Sequence, residues 1–170
     1  MRTLILASIF LSSVWAEEAY LELGGWGGVY SLGFQEPISE SWTGTLGVAS
    51  YGQYGLIVPM GVLLDLEILP GLGLSSEHRL GLGFFDHAFL SVTSNTVGVR
   101  LGHNKWKVQL EGGWFTLAGW ANEEGGTAWG PTVLAKIRMG PVEVWGQSFT
   151  QASALEQQGY WGGLKIYAEF

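Results

Sequence analysis

Apolar and polar residues alternate with a period of two along most of this chain. In residues 56–68 apolar side chains occupy every even position, while Asp65 and Glu67 stand at odd ones. Successive side chains of a β-strand point to opposite faces, so this alternation is typical of a strand with one apolar face. Comparable segments predict strands over residues 19–32, 41–53, 56–68, 72–85, 88–93, 96–102, 106–118, 129–139, 142–150 and 158–170. We therefore expect an all-β fold.

Charged residues test the alternation without reference to the apolar positions. Five segments carry a pair of strand charges, and both members of each pair have the same parity: Asp65/Glu67, Glu77/Arg79, Lys107/Glu111, Lys136/Arg138 and Lys165/Glu169. Random placement would give this result about once in 32 trials, since each pair has two possible parities in a period-two strand. The charges therefore mark one face of each strand.

The first sixteen residues have the pattern of a secretory signal peptide. A charged start at Arg2 is followed by an uncharged, largely apolar stretch from Thr3 to Val14 and by small Ala16. This pattern predicts cleavage after Ala16, which leaves residues 17–170 as a single domain. The alternative, a membrane anchor, is disfavoured because a spanning helix needs roughly 20 apolar residues.

Composition narrows the class of the exported domain. The chain has no cysteine, 27 glycines and 9 tryptophans, and charged residues make up 14%, against roughly 25% in ordinary soluble domains. Small exported domains with thin cores usually carry disulfides, so this composition favours a membrane barrel. The formal net charge is −7 for the chain and −8 for residues 17–170, because Arg2 is the one charged residue before them. A negative charge argues against nucleic acid as a partner.

Alternation alone is compatible with a soluble barrel or sandwich, which hides its apolar face, and with a membrane barrel, which turns that face to lipid. The near-absence of charges from the apolar face favours the membrane, where such a charge would cost roughly 2–4 kcal/mol at mid-bilayer. Aromatic residues near segment ends add support, because they are typical of the girdles at lipid–water interfaces. The predicted girdle comprises Trp42, Tyr54, Trp106, Trp129, Tyr160 and Phe170; its alternative interpretation is as core aromatics.

The chain ends in the sequence K-I-Y-A-E-F, with Phe170 last and apolar residues spaced two apart before it. This ending resembles the C-terminal strand of outer-membrane β-barrel proteins. The whole of residues 17–170 resembles the small-barrel class typified by the OmpA transmembrane domain and OmpX. The resemblance implies localisation in a cell outer membrane, contact with lipopolysaccharide-type lipids, and recognition of the Phe170 strand by the barrel-assembly machinery.

The turns divide the segments into ten strands, an even number that places both termini on the periplasmic side of an antiparallel up-and-down barrel. Short periplasmic turns are predicted at residues 54–55, 86–87, 103–105 and 140–141, and longer acidic outer loops at 33–40, 119–128 and 150–157. Segments 88–93 and 96–102 are shorter than the roughly 9–11 residues of a spanning strand. Eight strands, with an excursion between residues 69 and 95, are therefore the alternative. Pro59 cannot donate to a ladder and predicts a bulge.

The polar face of such a barrel would line a narrow interior that side chains largely fill. The predicted lumenal charges are Glu22, Asp65, Glu67, Glu77, Arg79, Arg100, Lys107, Glu111, Lys136, Arg138, Glu143, Lys165 and Glu169. Acids and bases nearly balance, which predicts ion pairing, because an unpaired buried charge is costly. We expect an occluded barrel with a structural or surface-interaction role, and a narrow pore for small solutes as the alternative.

Enzymatic activity is not expected, and the sequence contains no metal-binding spacing or cofactor motif. The residue that departs from the pattern is His78, which stands on the otherwise apolar face of its segment with Ser76, beside Ser75 and Glu77. Near the outer end of its strand it would lie at headgroup depth. A nucleophile and base at that depth would suit a lipid-modifying hydrolase or acyltransferase, but a catalytic triad is defined by geometry that a sequence does not supply.

Overall fold

The computed structural model describes residues 18–24, 30–50, 55–85, 88–103, 105–121, 124–151 and 157–169. Ten strands make up the regular structure of these residues: β1 (Glu18–Gly24), β2 (Tyr30–Pro37), β3 (Trp42–Ser50), β4 (Gly55–Leu69), β5 (Leu72–Phe85), β6 (Ala88–His103), β7 (Trp106–Ala121), β8 (Glu124–Met139), β9 (Val142–Gln151) and β10 (Gln157–Glu169). Each strand pairs antiparallel with its neighbours in the chain, and β1 pairs with β10 to close the barrel. The predicted ten-stranded up-and-down barrel is confirmed. In the described ranges no helix has the length and apolarity needed to span a membrane.

The predicted division into strands is wrong in two places, and the strand count is right because the two errors cancel. The predicted strand 19–32 is two strands, β1 and β2, and Gly24 ends β1 with a φ of 82°. The predicted strands 88–93 and 96–102 are one strand, β6, which runs without interruption through Ser94 and Asn95. Adjacent polar residues of this kind are common in turns. Here they stay in the sheet because each pairs across it: Ser94 with Arg79 and Asn95 with His78.

The two ends of the barrel differ from the prediction. At the terminal end, where β1 begins and β10 ends, the hairpins connect β2 to β3, β4 to β5, β6 to β7 and β8 to β9. The strand ends that flank the predicted turns 54–55 and 86–87 therefore lie at the opposite, distal end and not on the terminal side; residues 54, 86 and 87 themselves lie outside the described residues. The predicted outer loop 33–40 is largely β2 with its terminal-end hairpin, and most of the predicted loop 119–128 belongs to β7 and β8.

Proline has two different effects in this sheet. The β3–β4 pairing runs from Trp42–Leu64 to Leu46–Met60 and resumes in the same register at Ala49–Ile57. Pro59 thus interrupts the ladder without the expected bulge, and the register shift of β4 lies instead between Glu67 and Leu69. At the terminal end, Pro70-Gly71 connects β4 to β5, and Gly71 has the φ of 78° that a type II turn requires after proline.

The charged side chains of the strands lie mostly inside this barrel, and most of the side chains on its outside are apolar. The buried polar side chains include eight charged ones, namely Glu22, Glu77, Arg100, Glu111, Lys136, Arg138, Glu143 and Lys165. The exposed side chains include leucine, isoleucine, valine, tryptophan and tyrosine residues on the outer face, among them Leu74, Val99, Leu110, Val133 and Ile166. This is the reverse of the usual arrangement in a water-soluble protein.

Candidate functional site

The lumen is the first candidate site, and its distal half is filled mainly with apolar side chains, among which the buried amide of Gln147 donates to Ser94 and Thr132. The rings of Phe115, Phe149 and Trp161 contact one another, with centroid separations of 4.6 Å for Phe115–Phe149 and 4.5 Å for Phe149–Trp161. Val92, Leu134 and Trp145 form a second buried cluster, against which Leu117 and Trp161 also pack. The inward positions of β7, β9 and β10 are aromatic here, so three neighbouring parts of the wall meet at the centre.

The terminal half of the lumen holds the charges. Of the thirteen predicted lumenal charges, the eight named above are buried, while Asp65, Arg79 and Lys107 are partly exposed. Glu67 and Glu169 lie at the rim with about half of each side chain exposed, at 47% and 55%. The inward face thus carries charge from the terminal rim to the middle of the barrel and apolar groups beyond it.

Several ion pairs connect strands that are not neighbours. Lys136 on β8 pairs with Glu77 on β5, and Arg79 pairs with the same carboxylate. Lys107 on β7 contacts Asp65 on β4 at 2.8 Å, and the guanidinium of Arg100 contacts Asp65 at 2.5 Å. Such pairs tie opposite parts of the wall together through the interior.

A second group of contacts joins the charges to aromatic rings. Arg138 lies over Tyr167, 4.0 Å from the ring centroid, and Arg79 lies 5.4 Å from the ring centroid of Trp145. Arg138 also contacts Glu18 at 2.7 Å, a residue absent from the predicted set because it lies just before the predicted strand 19–32. Guanidinium groups suit this position because one face can stack on a ring while the edge donates to a carboxylate.

The charges do not form one continuous network. Lys165 and Glu143 are 3.6 Å apart, and Glu22 accepts from the indole nitrogen of Trp145 at 2.5 Å. Glu111 accepts from the hydroxyl of Thr96 at 2.5 Å, and its second oxygen has no hydrogen-bond partner among the described residues. The rim pairs Glu67–His103 and Glu169–Lys105 are separate from the interior ones.

A cavity of about 680 Å³ occupies the terminal half between these charges. Its lining extends to Pro37, Glu40 and Ser41 at the β2–β3 hairpin, and so it reaches the terminal end. The buried apolar residues of the distal half, such as Phe115 and Leu134, do not line it. The described interior is therefore a charged vestibule at one end and a packed apolar layer at the other.

The predicted girdle residues lie on the outer face where the structure describes them. Trp42 and Trp106 stand at the terminal end, and Trp129 and Tyr160 in the distal half. Tyr54 and Phe170 lie outside the described residues. The sequence interpretation missed Trp114, which stacks on Trp129 at 5.3 Å, and Trp120, which lies in the predicted loop 119–128. Phe89 contacts both Phe84 and Trp120 at the distal end, which extends this belt of outward rings.

His78 is the second candidate, and its position differs from the prediction. It lies at the middle of β5, seven residues from Leu72, and not near the end of the strand. Its ring contacts Ser76 on the same strand and Asn95 on β6. Asn95 was missed because residues 94–95 were interpreted as a gap between strands; the recognition of one continuous β6 would have placed it directly opposite His78.

Comparisons with known proteins do not identify the site. No protein family, curated protein or solved structure matches this chain. Within the described ranges no group of three histidine, aspartate or glutamate side chains could hold a metal ion.

Proposed function

We propose that this chain is an outer-membrane β-barrel protein, exported by a cleaved signal peptide, whose lumen is closed by its own side chains and whose role is structural or in surface interaction. The observation that carries the proposal is the reversed distribution of polarity. Eight charged side chains are buried inside, while large apolar side chains on every strand from β1 to β10 are exposed outside.

Exposure of apolar side chains on this scale favours lipid over water as the surrounding medium. Monomeric soluble proteins rarely expose contiguous apolar patches above a few hundred Å², and each Å² of apolar surface in water costs about 25 cal/mol. The exposed residues of β6, β7 and β8 alone form adjacent stripes that include Val97, Val99, Leu110, Val133 and Ile137. Lipid removes this cost without a change in the fold.

The lengths of β4 to β8 also support membrane insertion. Strands β4 to β8 have 14–16 residues, more than the roughly 9–11 that span a bilayer at a tilt. On β7 the outward indoles of Trp106 and Trp114 are eight residues apart, close to one spanning length. With the termini in the periplasm, Trp106 would stand at the inner interface and Trp114 at the outer one.

The packed interior favours a closed barrel over a pore. The rings of Phe115, Phe149 and Trp161 fill the distal half, and the charges of the terminal half contact partners across the lumen. An ion entering the terminal cavity would meet this apolar layer. A small-solute pore is the second candidate, since the terminal cavity already extends through about half of the lumen.

Fractionation and bilayer recording test the proposal. The full chain, expressed in a Gram-negative host, should enter the outer-membrane fraction, lose its first sixteen residues, and migrate differently in gels with and without heating. Purified barrel in a planar bilayer should give no conductance steps. A chain that stayed soluble and monomeric without detergent would contradict the membrane assignment, and discrete conductance steps would replace the closed barrel with the pore.

A further inference from the structure

A furrow crosses the outer face of five strands between two rows of cross-strand partners. The first row consists of Glu36, Gly44, Val62, His78 and Asn95, each paired with the next. The second consists of Phe34, Leu46, Met60, Leu80 and Thr93. The furrow has a volume of about 760 Å³. Four strand spacings give it a length of about 19 Å, and its shape and largely apolar lining match one extended hydrocarbon chain.

A chain of three functional groups begins at the polar end of this furrow, where His78 and Asn95 line it. His78 Nε2 lies 3.2 Å from Ser76 Oγ, and His78 Nδ1 lies 2.9 Å from Asn95 Oδ1. Ser76 and His78 share one face of β5 because they are two residues apart; His78 is exposed, whereas Ser76 is 7% exposed and borders the terminal cavity. Asn95 is the direct partner of His78 on β6. This is the order of a nucleophile, a base and an orienting group that recurs in serine and cysteine hydrolases, including those with asparagine as the third member.

The tautomer of the His78 ring decides whether this chain of three groups is reactive. When Nδ1–H donates to Asn95 Oδ1, Nε2 is unprotonated and can accept the proton of Ser76. The same hydroxyl also lies 2.7 Å from the carbonyl oxygen of Thr96, so its proton has two acceptors. In the alternative tautomer, Nε2–H donates to Ser76, the hydroxyl donates only to Thr96, and the Asn95 amide must turn so that its Nδ2–H donates to Nδ1; this makes a closed polar cluster without reactivity. The reactivity of Ser76 therefore distinguishes the two arrangements.

The position of the three groups on the barrel favours a reactive role. A polar, ionisable side chain on a lipid-facing surface is costly and commonly marks a functional site. Asn95 is paired with Trp114, and Trp114 stacks on Trp129, so the three groups lie next to the distal aromatic belt. Aromatic belts lie at headgroup level, where the ester groups of lipids are found. The furrow descends from this depth toward Glu36 near the terminal end.

We propose that Ser76, His78 and Asn95 form a catalytic site that hydrolyses an acyl ester of a membrane lipid whose chain lies in the furrow; this rests on the proposed membrane location. Ser76 Oγ attacks the ester carbonyl carbon while its proton passes to His78 Nε2. The intermediate collapses, the C–O bond to the alcohol breaks, and the alcohol oxygen takes that proton. Water then attacks the acyl-serine through the same base, releases the fatty acid and restores the Ser76 hydroxyl.

Labelling with a serine-reactive probe tests the nucleophile. A fluorophosphonate should label the wild-type barrel, folded in detergent, and peptide mapping should place the label on Ser76. We expect no label in Ser76→Ala, labelling about 10²-fold slower in His78→Gln, since general bases contribute at least that much, and a loss on the order of 10-fold or more in Asn95→Ala. Ser91→Ala, on the outer face of β6, and His103→Gln, at the rim, are matched controls that should label as wild type. Gels with and without heating report the fold of each variant.

Hydrolysis of phospholipid tests the substrate class. Wild-type protein should release fatty acid from phosphatidylethanolamine in mixed micelles, and Val62→Trp, which fills the furrow beside His78, should reduce this release while it leaves fluorophosphonate labelling intact. If the folded, membrane-inserted wild type is not labelled by the fluorophosphonate, Ser76 is not a nucleophile. The proposed membrane location would not be affected by that result. Equal labelling of His78→Gln would overturn the role of the base. Labelling of Ser76 without release of fatty acid would overturn lipid ester as the substrate.

Discussion

The ammonium group of Lys136 on β8 contacts the carboxylate of Glu77 on β5, three strands away around the barrel, and both side chains are buried. The contact therefore passes through the lumen and not along the wall. Arg79 contacts the same carboxylate from the adjacent inward position of β5. Two cations on one buried anion fix the middle of the lumen, just below the apolar layer of Trp145 and Leu134.

Lys136→Met should destabilise the barrel by about 3 kcal/mol, because removal of one member of a buried pair leaves the other without full compensation. Arg79 remains on Glu77, which places the loss at the low end of the usual range. Equilibrium unfolding in urea, with the protein in lipid vesicles, measures the free energy. Lys105→Met is the matched control, since its pair with Glu169 is about half exposed and such pairs contribute about 0–1 kcal/mol. Equal losses in the two variants would contradict a buried cross-lumen pair.

An arginine on the outer face distinguishes lipid from water as the surrounding medium. Leu110 is exposed in the lower half of β7, between Trp106 and Trp114. In a bilayer Leu110→Arg should cost about 2–4 kcal/mol, whereas Leu101→Arg, beside the terminal-end turn, should cost about 0–1 kcal/mol. In water both exposed substitutions would stay within about 0.5 kcal/mol. Unfolding in vesicles measures the difference, and two equally small effects would contradict a lipid-facing surface.

The strands of the barrel wall could be predicted from the sequence because the period-two pattern depends only on neighbouring residues of one strand. Parity places Asp65 with Glu67 and Lys136 with Arg138 on one face of their strands, and the structure has both pairs facing inward. Strand ends were less predictable, because glycine and adjacent polar residues occur both in turns and inside strands. Ser94 and Asn95 suggested a break for this reason. Because the end of β1 at Gly24 was not predicted, the turns at 54–55 and 86–87 were assigned to the periplasmic side and not to the distal end.

The contacts inside the lumen could not be predicted in the same way. Parity shows that Lys136 and Glu77 face inward, but their pairing depends on the register of β5 to β8 and on the closure of the ring. The division of the lumen was also hidden, because Phe115, Phe149 and Trp161 are far apart in the sequence and meet only when β7, β9 and β10 curve around one interior. On the outer face, the contact between Asn95 and His78 was hidden for the same reason, because it depends on the register of β5 and β6.

Gly33→Ala should destabilise the barrel, because a methyl group at this position would overlap the ring of Tyr20. Tyr20 on β1 is the cross-strand partner of Gly33 on β2, and its ring is buried over the glycine. Overpacking of this kind typically costs about 1–3 kcal/mol. Unfolding in vesicles measures the loss, and the double variant with Tyr20→Leu should recover part of it. Gly112→Ala is the control, since nothing lies within 4 Å of its added methyl; an equal loss there would point to strand propensity and not to the ring.

We expect the rings of Phe115, Phe149 and Trp161 to close the lumen, so that their removal opens a path for ions. Phe115 is 1% exposed and contacts Phe149 and Trp161, and the double variant Phe115→Ala/Trp161→Ala leaves Phe149 without either ring. We expect small conductance steps from this variant in a planar bilayer and none from the wild type. A cost of about 3–5 kcal/mol is expected for each aromatic truncation, so Trp161→Ala alone serves where the double variant does not fold. Trp114→Ala, on the outer face of the same strand as Phe115, should give no conductance.

A folded double variant without conductance would contradict this role of the rings. The charged half would then close the barrel by itself, with Glu77, Arg79 and Lys136 as the barrier.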